Sequence, residues 1–305
     1  MELTWRSLTE DDIPTWAELL VEIEQVDRSG NRVGVPQLTG LFASGVLDPV
    51  HNSIAAFAGE RLVATGLIPV RPPSERMQLL GRVHPDWRNR GIGSALLDWL
   101  VDRARQIPTG LPVELYVTND DANTRYRDLL ASRGFQPVRH FASMEADLAH
   151  LPPSPALPDG LRLVDFTEQH DEAARVAHNE VFQDHWGDQS ISPQEWRHRF
   201  TGSATFRPEL SPLLLAESTG EVVAFVLSHQ HEDHVVELDS IGTRRSWRGH
   251  GLASGLIGHV LARARAQGYR RAGLGVDTQN ASGALAIYQR AGFRIIRRST
   301  VFTTN

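Results

Sequence analysis

Residues 237–261 read ELDSIGTRRSWRGHGLASGLIGHVL, and this stretch decides the fold. It opens with a strand-like alternation from Glu237 to Thr243 and turns through a basic, glycine-punctuated segment, Arg248, Gly249, His250 and Gly251. Beyond the turn, Leu256, Ile257, Val260 and Leu261 recur at helical spacing. Glycines at a strand-to-helix junction let the backbone turn without Cβ clashes. They also leave N–H groups converging before a helix N-terminus, where the partial positive charge favours an anion. Arg248 and His250 add side-chain donors at the same place.

The chain carries the stretch twice. Residues 82–97 read RVHPDWRNRGIGSALL and residues 242–257 read GTRRSWRGHGLASGLI. Trp87 and Arg88 answer Trp247 and Arg248 at an offset of 160, while Gly134 and Phe135 answer Gly292 and Phe293 at 158. Thr9 and Glu10 answer Thr167 and Glu168, again 158 apart. Offsets this uniform mean a duplicated domain.

Both halves resemble the GNAT acyltransferase superfamily, whose signature is Arg or Gln, two residues, Gly, one residue, then Gly or Ala. Arg88, Gly91 and Gly93 satisfy it in the first half, and Arg248, Gly251 and Ala253 in the second. Within the superfamily the tandem arrangement resembles the mycothiol synthase family of actinobacteria. The resemblance implies a coenzyme A thioester, acetyl-CoA, as cofactor. Ile241, Gly242 and Thr243 would offer main-chain groups to the pantetheine, and Arg248, Gly249, His250, Gly251, Leu252, Ala253 and Ser254 would surround the pyrophosphate. The matching positions of the first half are Val83, Arg88, Asn89, Arg90, Gly91, Ile92, Gly93 and Ser94.

Composition bounds the reading independently. With 305 residues, 41% of them hydrophobic, the chain is long enough for two domains, each with its own core. No apolar run approaches the roughly 20 residues that cross a bilayer and no signal peptide opens the chain, so a cytoplasmic protein without membrane contact is expected. There is no cysteine, which removes disulfides and cysteine nucleophiles, and all 31 basic residues are arginine, which removes Schiff-base and P-loop lysines. A net charge of −6 argues against a nucleic-acid partner and suits a neutral or cationic small molecule.

The segment 151–160, LPPSPALPDG, has four prolines and no periodicity, and is read as a linker between domains 1–150 and 161–305. In the first domain the pattern predicts a strand at 3–8, a helix at 9–26, a loop to Asn52 and a hairpin over 53–57 and 62–70. A strand at 76–83, a helix at 94–106, a strand at 113–117 and a helix at 123–133 follow. The second domain repeats the plan at 161–166, 171–182, 213–216, 222–229, 235–243, 254–267, 272–276 and 280–291. The expected fold class is α/β (α+β): two tandem GNAT-like domains, each a mixed, mostly antiparallel sheet flanked by helices.

An amine attacking a thioester needs a group to take its proton and a group to protonate the leaving thiolate. The segment from Asn280 to Phe293, NASGALAIYQRAGF, resembles the superfamily pattern that carries the acid, which makes Tyr288 the candidate; a phenol of pKa about 10 suits an alkyl thiolate. Asn280 is read as the helix N-cap and a cofactor contact. The alternative for Tyr288 is a ring serving only the core. Glu237, six residues before Thr243, matches the position at which the mycothiol synthase family resembles this chain in carrying a catalytic glutamate. Asp239 is the second candidate base; both would face one side of the strand unless a bulge intervenes.

The first half fails the same inventory. Met77 and Leu130 stand where base and acid are required, and Tyr126 is a full turn away. That half is therefore expected to be catalytically degenerate. Glu180, Asp184 and His185 lie in a polar, aromatic patch read as substrate-binding or as a helix-end cluster. His229, His231 and His234 have metal-like spacing but, with Glu232 and Asp233, are read as a solvated hairpin, so no metal is expected. The function expected is acetyl-CoA-dependent N-acetylation of a small-molecule amine by direct attack, in a monomer or homodimer. The alternatives are a protein or peptide N-acetyltransferase, and an acyl-CoA-binding pseudo-enzyme acting as sensor or scaffold.

Overall fold

Two runs of alternating strands and helices account for the residues that the computed structural model describes, which are 2–30, 33–70, 76–108, 112–183, 190–280 and 283–304. They fall into two compact units, Met1–Arg139 with Ser299–Asn305, and His140–Arg298.

The first run comprises β1 (Thr4–Arg6), α1 (Ile13–Asp27), α2 (Val35–Ala43), α3 (Pro49–Asn52), β2 (Ser53–Ala58), β3 (Arg61–Leu67), β4 (Arg76–Gln78), β5 (Leu80–Val83), α4 (Ile92–Gln106), β6 (Glu114–Asp120), α5 (Thr124–Ser132) and β7 (Gln136–Asp147). Helix α1 forms where Ile13, Trp16, Leu19 and Ile23 recur, and these are its buried side chains. Strands β1, β2, β3 and β5 make an antiparallel sheet in that order. Beside it β4 runs parallel to β6. The expected single strand over 76–83 is two, because Leu79 turns its N–H to the Tyr116 carbonyl at 2.9 Å while β5 crosses to β3. The expected loop before Asn52 contains α2 and α3, which carry Pro36 and Pro49 in first-turn positions where a missing N–H costs nothing.

The second run comprises β8 (Leu161–Val164), α6 (Asp171–Phe182), α7 (Pro193–Trp196), β9 (Leu213–Ala216), β10 (Val222–Glu232), β11 (Val235–Thr243), α8 (Leu252–Ala266), β12 (Arg271–Asp277), α9 (Ala284–Arg290) and β13 (Arg294–Thr304). Its sheet orders as β7, β12, β11, β10, β9, β8, with only β11 and β12 parallel. One face buries Val236, Leu238, Ala272 and Leu274 against Leu256, Ile257 and Val260 of α8 and Tyr288 of α9. The other buries Leu213, Phe225 and Leu227 against Ala174 and Ala177 of α6 and Trp196 of α7. Strand alternation sorts these residues between the two cores.

The closing strands are where the architecture departs from the duplication. Residues 141–147 of β7, which precede the proline-rich segment, pair antiparallel with 271–277 of β12 and belong to the second unit. Residues 299–304 of β13 pair antiparallel with β6 and bury Phe302 in the first unit's core. The chain thus exchanges its two closing strands, so the compact units end at residues 139/140 and 298/299 where expectation had put them at 150 and 161. The 151–160 segment does not hang free either. Leu151 and Leu157 join the second unit's core, and Ser154 and Leu157 lie so close to Gly258 and Gly255 of α8 that no Cβ fits there.

A fragment of residues 161–305 lacks the β7 side chains Ala142, Met144 and Ala146 and the Leu148 that follows them, all buried in the second unit. Thermal scanning by circular dichroism should show no cooperative transition for that fragment and a cooperative one for residues 140–298.

Candidate active site

The parallel pair β11 and β12 is joined at Val235–Arg271, Val236–Ala272 and Glu237–Gly273. Both strands then continue, to Thr243 and Asp277, and no further pair joins them among the described residues. Each stays tied on its outer edge, β11 to β10 as far as Thr243–Ala224, and β12 to β7 as far as Asp277–Phe141. The sheet therefore parts just beyond Glu237, leaving main-chain groups of Leu238 to Thr243 facing a gap. A β-bulge helps to bend β11 away. Leu227 pairs with Ser240 and Ser228 with Leu238, so Asp239 is an extra residue in the ladder.

Glu237 sits at the point of the opening. Across the sheet His229, Glu237, Gly273 and Glu145 stand directly opposite one another on four neighbouring strands, and residues so paired project to one face. Gly273 is what lets the Glu237 carboxylate lie down on the sheet, since a Cβ there would come within 2.2 Å of Oε2. Burial, then the charge of Asp239, with smaller contributions from Glu145 and Glu232 against His231, push the Glu237 carboxyl up to about 7. Asp239 goes the other way. Burial resists its ionisation, but His229 and His231 more than offset this and bring it to about 2. His229 is buried with Nδ1 2.7 Å from an Asp239 oxygen, a contact that favours the ionised carboxylate. The His231 ring stacks on His229 at 5.9 Å, with Nε2 3.8 Å from the same oxygen. Two carboxylates driven apart in this way divide their roles: Glu237 is able to accept a proton near neutrality, whereas Asp239 stays a fixed anion.

The histidines expected in a solvated hairpin are thus split. His229 belongs to the buried site, and His234, in the left-handed conformation of the turn, has Nδ1 3.2 Å from the Gly268 carbonyl. Among the described residues no cluster of three His, Cys, Asp or Glu side chains is arranged to hold a metal.

Tyr288, on α9, is buried edge-on to Phe293, with ring centroids 6.3 Å apart, and burial pushes its phenol up to about 12. It shares a core with Val236 and Leu238, which flank Glu237 in sequence and point to the other face. Phenol and carboxylate therefore approach β11 from opposite faces. The helix cap expected at Asn280 is supplied instead by Gly283, whose φ of 69° suits a residue without a Cβ, and Asn280 precedes α9 in a turn closed on the Asp277 carbonyl.

At the mouth, Gly249 and Gly251 take φ of 83° and 76°, and α8 begins at Leu252. Leu252 buries its side chain in the core, so only its N–H is available to a ligand, while Ala253 and Ser254 are half-buried in the first turn. Arg248 donates Nε to the Thr243 carbonyl at 3.2 Å and meets no carboxylate among the described residues. His250 holds the loop, its Nδ1 3.0 Å from the Arg248 carbonyl. The buried hydroxyls of Ser240 and Thr243 have no hydrogen-bond partner among the described residues. Ile241 packs on the α8 core, and Gly242 lies against the Phe225 ring, where a Cβ would come within 2.3 Å. A gap edged with unpaired main chain, a glycine turn at a helix N-terminus and an uncompensated arginine fit an elongated anionic ligand carrying amides.

In the first unit Val83 ends β5 and the loop keeps its shape, with Asn89 at φ 62° and Gly91 at 82° before Ile92, Gly93 and Ser94 open α4. Arg88 repeats the bond of its counterpart, Nε to the Val83 carbonyl at 3.1 Å, but its terminal nitrogens both reach Asp27 at 2.7 Å. Arg90 lies over the Trp87 ring at 4.8 Å. Met77 and Leu130, the counterparts of base and acid, are buried in the apolar core. Of the expected acceptor contacts, Glu180 faces Arg244 at 3.4 Å, and Asp184 and His185 lie outside the described residues. Glu145, Gly273, His229 and Arg271, which bridges Glu145 at 2.8 Å and Glu232 at 3.2 Å, were not anticipated. Only the glycine carried a signal, as a strand residue that marks a close approach.

A twofold domain built around a parted parallel pair, with a glycine loop at its mouth, defines a class before any comparison. The acetyltransferase (GNAT) family model matches residues 15–135 and again 171–293, and the chain belongs to that family and is an N-acetyltransferase. Among similar proteins are the mycothiol acetyltransferase of Catenulispora acidiphila, 32% identical over 69% of this chain and 67% of its own length, and that of Streptomyces coelicolor, 28% identical over 95% and 91%. In fold the chain is similar to a GCN5-related N-acetyltransferase from Sphaerobacter thermophilus, with a TM-score of 0.79, 24% identity and coverage of 99% and 95%. It is also similar to a tandem GNAT protein from the clavulanic acid biosynthesis pathway, with a TM-score of 0.75, 17% identity and coverage of 99% and 98%. No helix among the described residues is long and apolar enough to cross a membrane.

The folded protein holds the Glu237 proton more tightly than the unfolded chain does, so this group's contribution to stability is lost as pH rises from about 4.5 to about 7. Glu237→Gln should therefore raise the melting temperature at pH 8 by a few degrees, with little change at pH 4, as read by differential scanning calorimetry. Gly273→Ala should push the carboxylate off its seat, with a loss of turnover of roughly 10-fold or more and a far smaller change in melting temperature than Gly242→Ala, whose Cβ meets a buried ring.

Proposed function

We propose that the protein transfers the acetyl group of acetyl-CoA to the amine of a small molecule, with the chemistry in the second unit. The observation that carries this reading is the opening of β11 from β12 at a carboxyl whose proton affinity lies near neutrality. In it, main-chain groups of Ile241, Gly242 and Thr243 bind the pantetheine, and the N–H groups after Gly249 with Arg248 bind the pyrophosphate. Acetyl-CoA, when bound, supplies an activated acyl thioester. Glu237 takes the proton of the incoming amine, directly or through a water. Tyr288, still protonated throughout the physiological range, donates its proton to the departing thiolate. With no cysteine in the chain, direct attack by the amine is favoured over an acyl-cysteine route. Similarity to proteins named mycothiol acetyltransferase supports an acceptor related to mycothiol, a small molecule rather than a peptide.

The first unit, in this reading, contributes no chemistry. Asp27 satisfies the arginine that would meet a pyrophosphate, and apolar side chains fill the acid and base positions.

Release of free thiol from acetyl-CoA, measured with a panel of amines that includes mycothiol lacking its acetyl group, tests the proposal. Tyr288→Phe should lower kcat about 10- to 100-fold with a smaller change in the KM for acetyl-CoA, and kcat/KM of the wild type should climb as pH rises through about 7. Turnover of peptides in place of amines, or unimpaired turnover in Tyr288→Phe and Glu237→Gln alike, would overturn it.

A further inference from the structure

Asp239 stands two residues from Glu237 and shares its face of the sheet by strand alternation; the bulge changes the face only of the residues that follow it. On that face its carboxylate meets His229, the residue directly across from Glu237. His229 is fixed on every side. It is 2% exposed, lies between Phe200 and Phe206 at ring separations of 6.2 Å and 5.4 Å, and has Nε2 3.3 Å from the Phe200 carbonyl. A rigid imidazole that sits 2.7 Å from a carboxylate on a bulged strand fixes where that negative charge is.

We propose that Asp239 and His229 are positioning residues: the buried imidazole holds the Asp239 carboxylate on Glu237's face of β11, as a fixed negative charge next to the proton acceptor. The inference rests on reading Glu237 as the proton acceptor, and it removes Asp239 from that role. A carboxylate already committed to two imidazoles is a poor base, but it is a dependable source of field. The other charged groups at this place come from each neighbouring strand: Glu145 on β7, Arg271 on β12, Glu232 and His231 on β10, with Arg207 acting on His231. Arg271 lies between Glu145 and Glu232 and pairs with both, whereas no arginine pairs with Asp239 among the described residues.

Carbon-13 carboxyl titration of the full chain, with the Glu237 signal assigned through Glu237→Gln, reads the effect without substrate. In Asp239→Asn the Glu237 midpoint should fall by about one pH unit or more, and His229→Asn should produce a fall in the same direction as the freed carboxylate rotates toward solvent. Asp233→Asn, in the exposed hairpin turn, should leave the midpoint in place. The acid limb of kcat/KM should move by the same interval in Asp239→Asn. A Glu237 midpoint that stays within about 0.3 unit in Asp239→Asn overturns the proposal, as does a loss of turnover of about 100-fold or more at every pH with no shift of the limb, which would make Asp239 itself the base. Should His229→Asn fail to fold, Asp239→Asn alone decides. Wild-type protein that shows the coupling but releases no thiol with any amine defeats the proposed function and leaves this inference standing.

Discussion

The parting of two parallel strands is the constraint on which the site depends. A parallel ladder satisfies main-chain donors and acceptors as it runs, and ending it three pairs in leaves those groups needing another partner. The protein sustains the opening by holding each strand firmly from outside, β11 through its long antiparallel ladder with β10 and β12 through seven pairs with β7. The bulge at Asp239 supplies the bend.

The comparison between the two units shows which parts of such a site are separable. Both keep the loop, its left-handed residues and the arginine bonded to the last carbonyl of the preceding strand. Those features serve the backbone turn and persist wherever the turn does. What differs is the use of the surrounding side chains. In the first unit Asp27 neutralises Arg88, and Met77 and Leu130 are absorbed into the core, where apolar side chains gain from burial that a carboxylate and a phenol would oppose. In the second unit that gain is given up at the half-buried Glu237, whose carboxyl is correspondingly reluctant to ionise.

Much of the fold was legible because it is written in local patterns. The glycine-punctuated turn, the period of α8 and the offset of the repeat each follow from backbone sterics and side-chain spacing, and they hold in the structure. Short elements escaped where local signals are weak: α2 has one buried side chain, and the proline-rich segment has no period although Leu151 and Leu157 pack in the core. The base and acid candidates were visible at motif positions. Their environment was not, since Glu145 precedes the presumed linker and His229 lies in a stretch that reads as a polar hairpin.

By itself the sequence determined two copies of a strand, glycine turn and helix, and candidate acid and base positions in only the second, because these depend on residues close in the chain. Tertiary structure alone decided that the closing strands are exchanged, that Gly273 makes a seat for Glu237, and that Asp239 lies against His229 on the same face. Strand order and register are set by which edges and faces can be buried together, and a proton affinity is set by the burial and the charges that this register brings side by side.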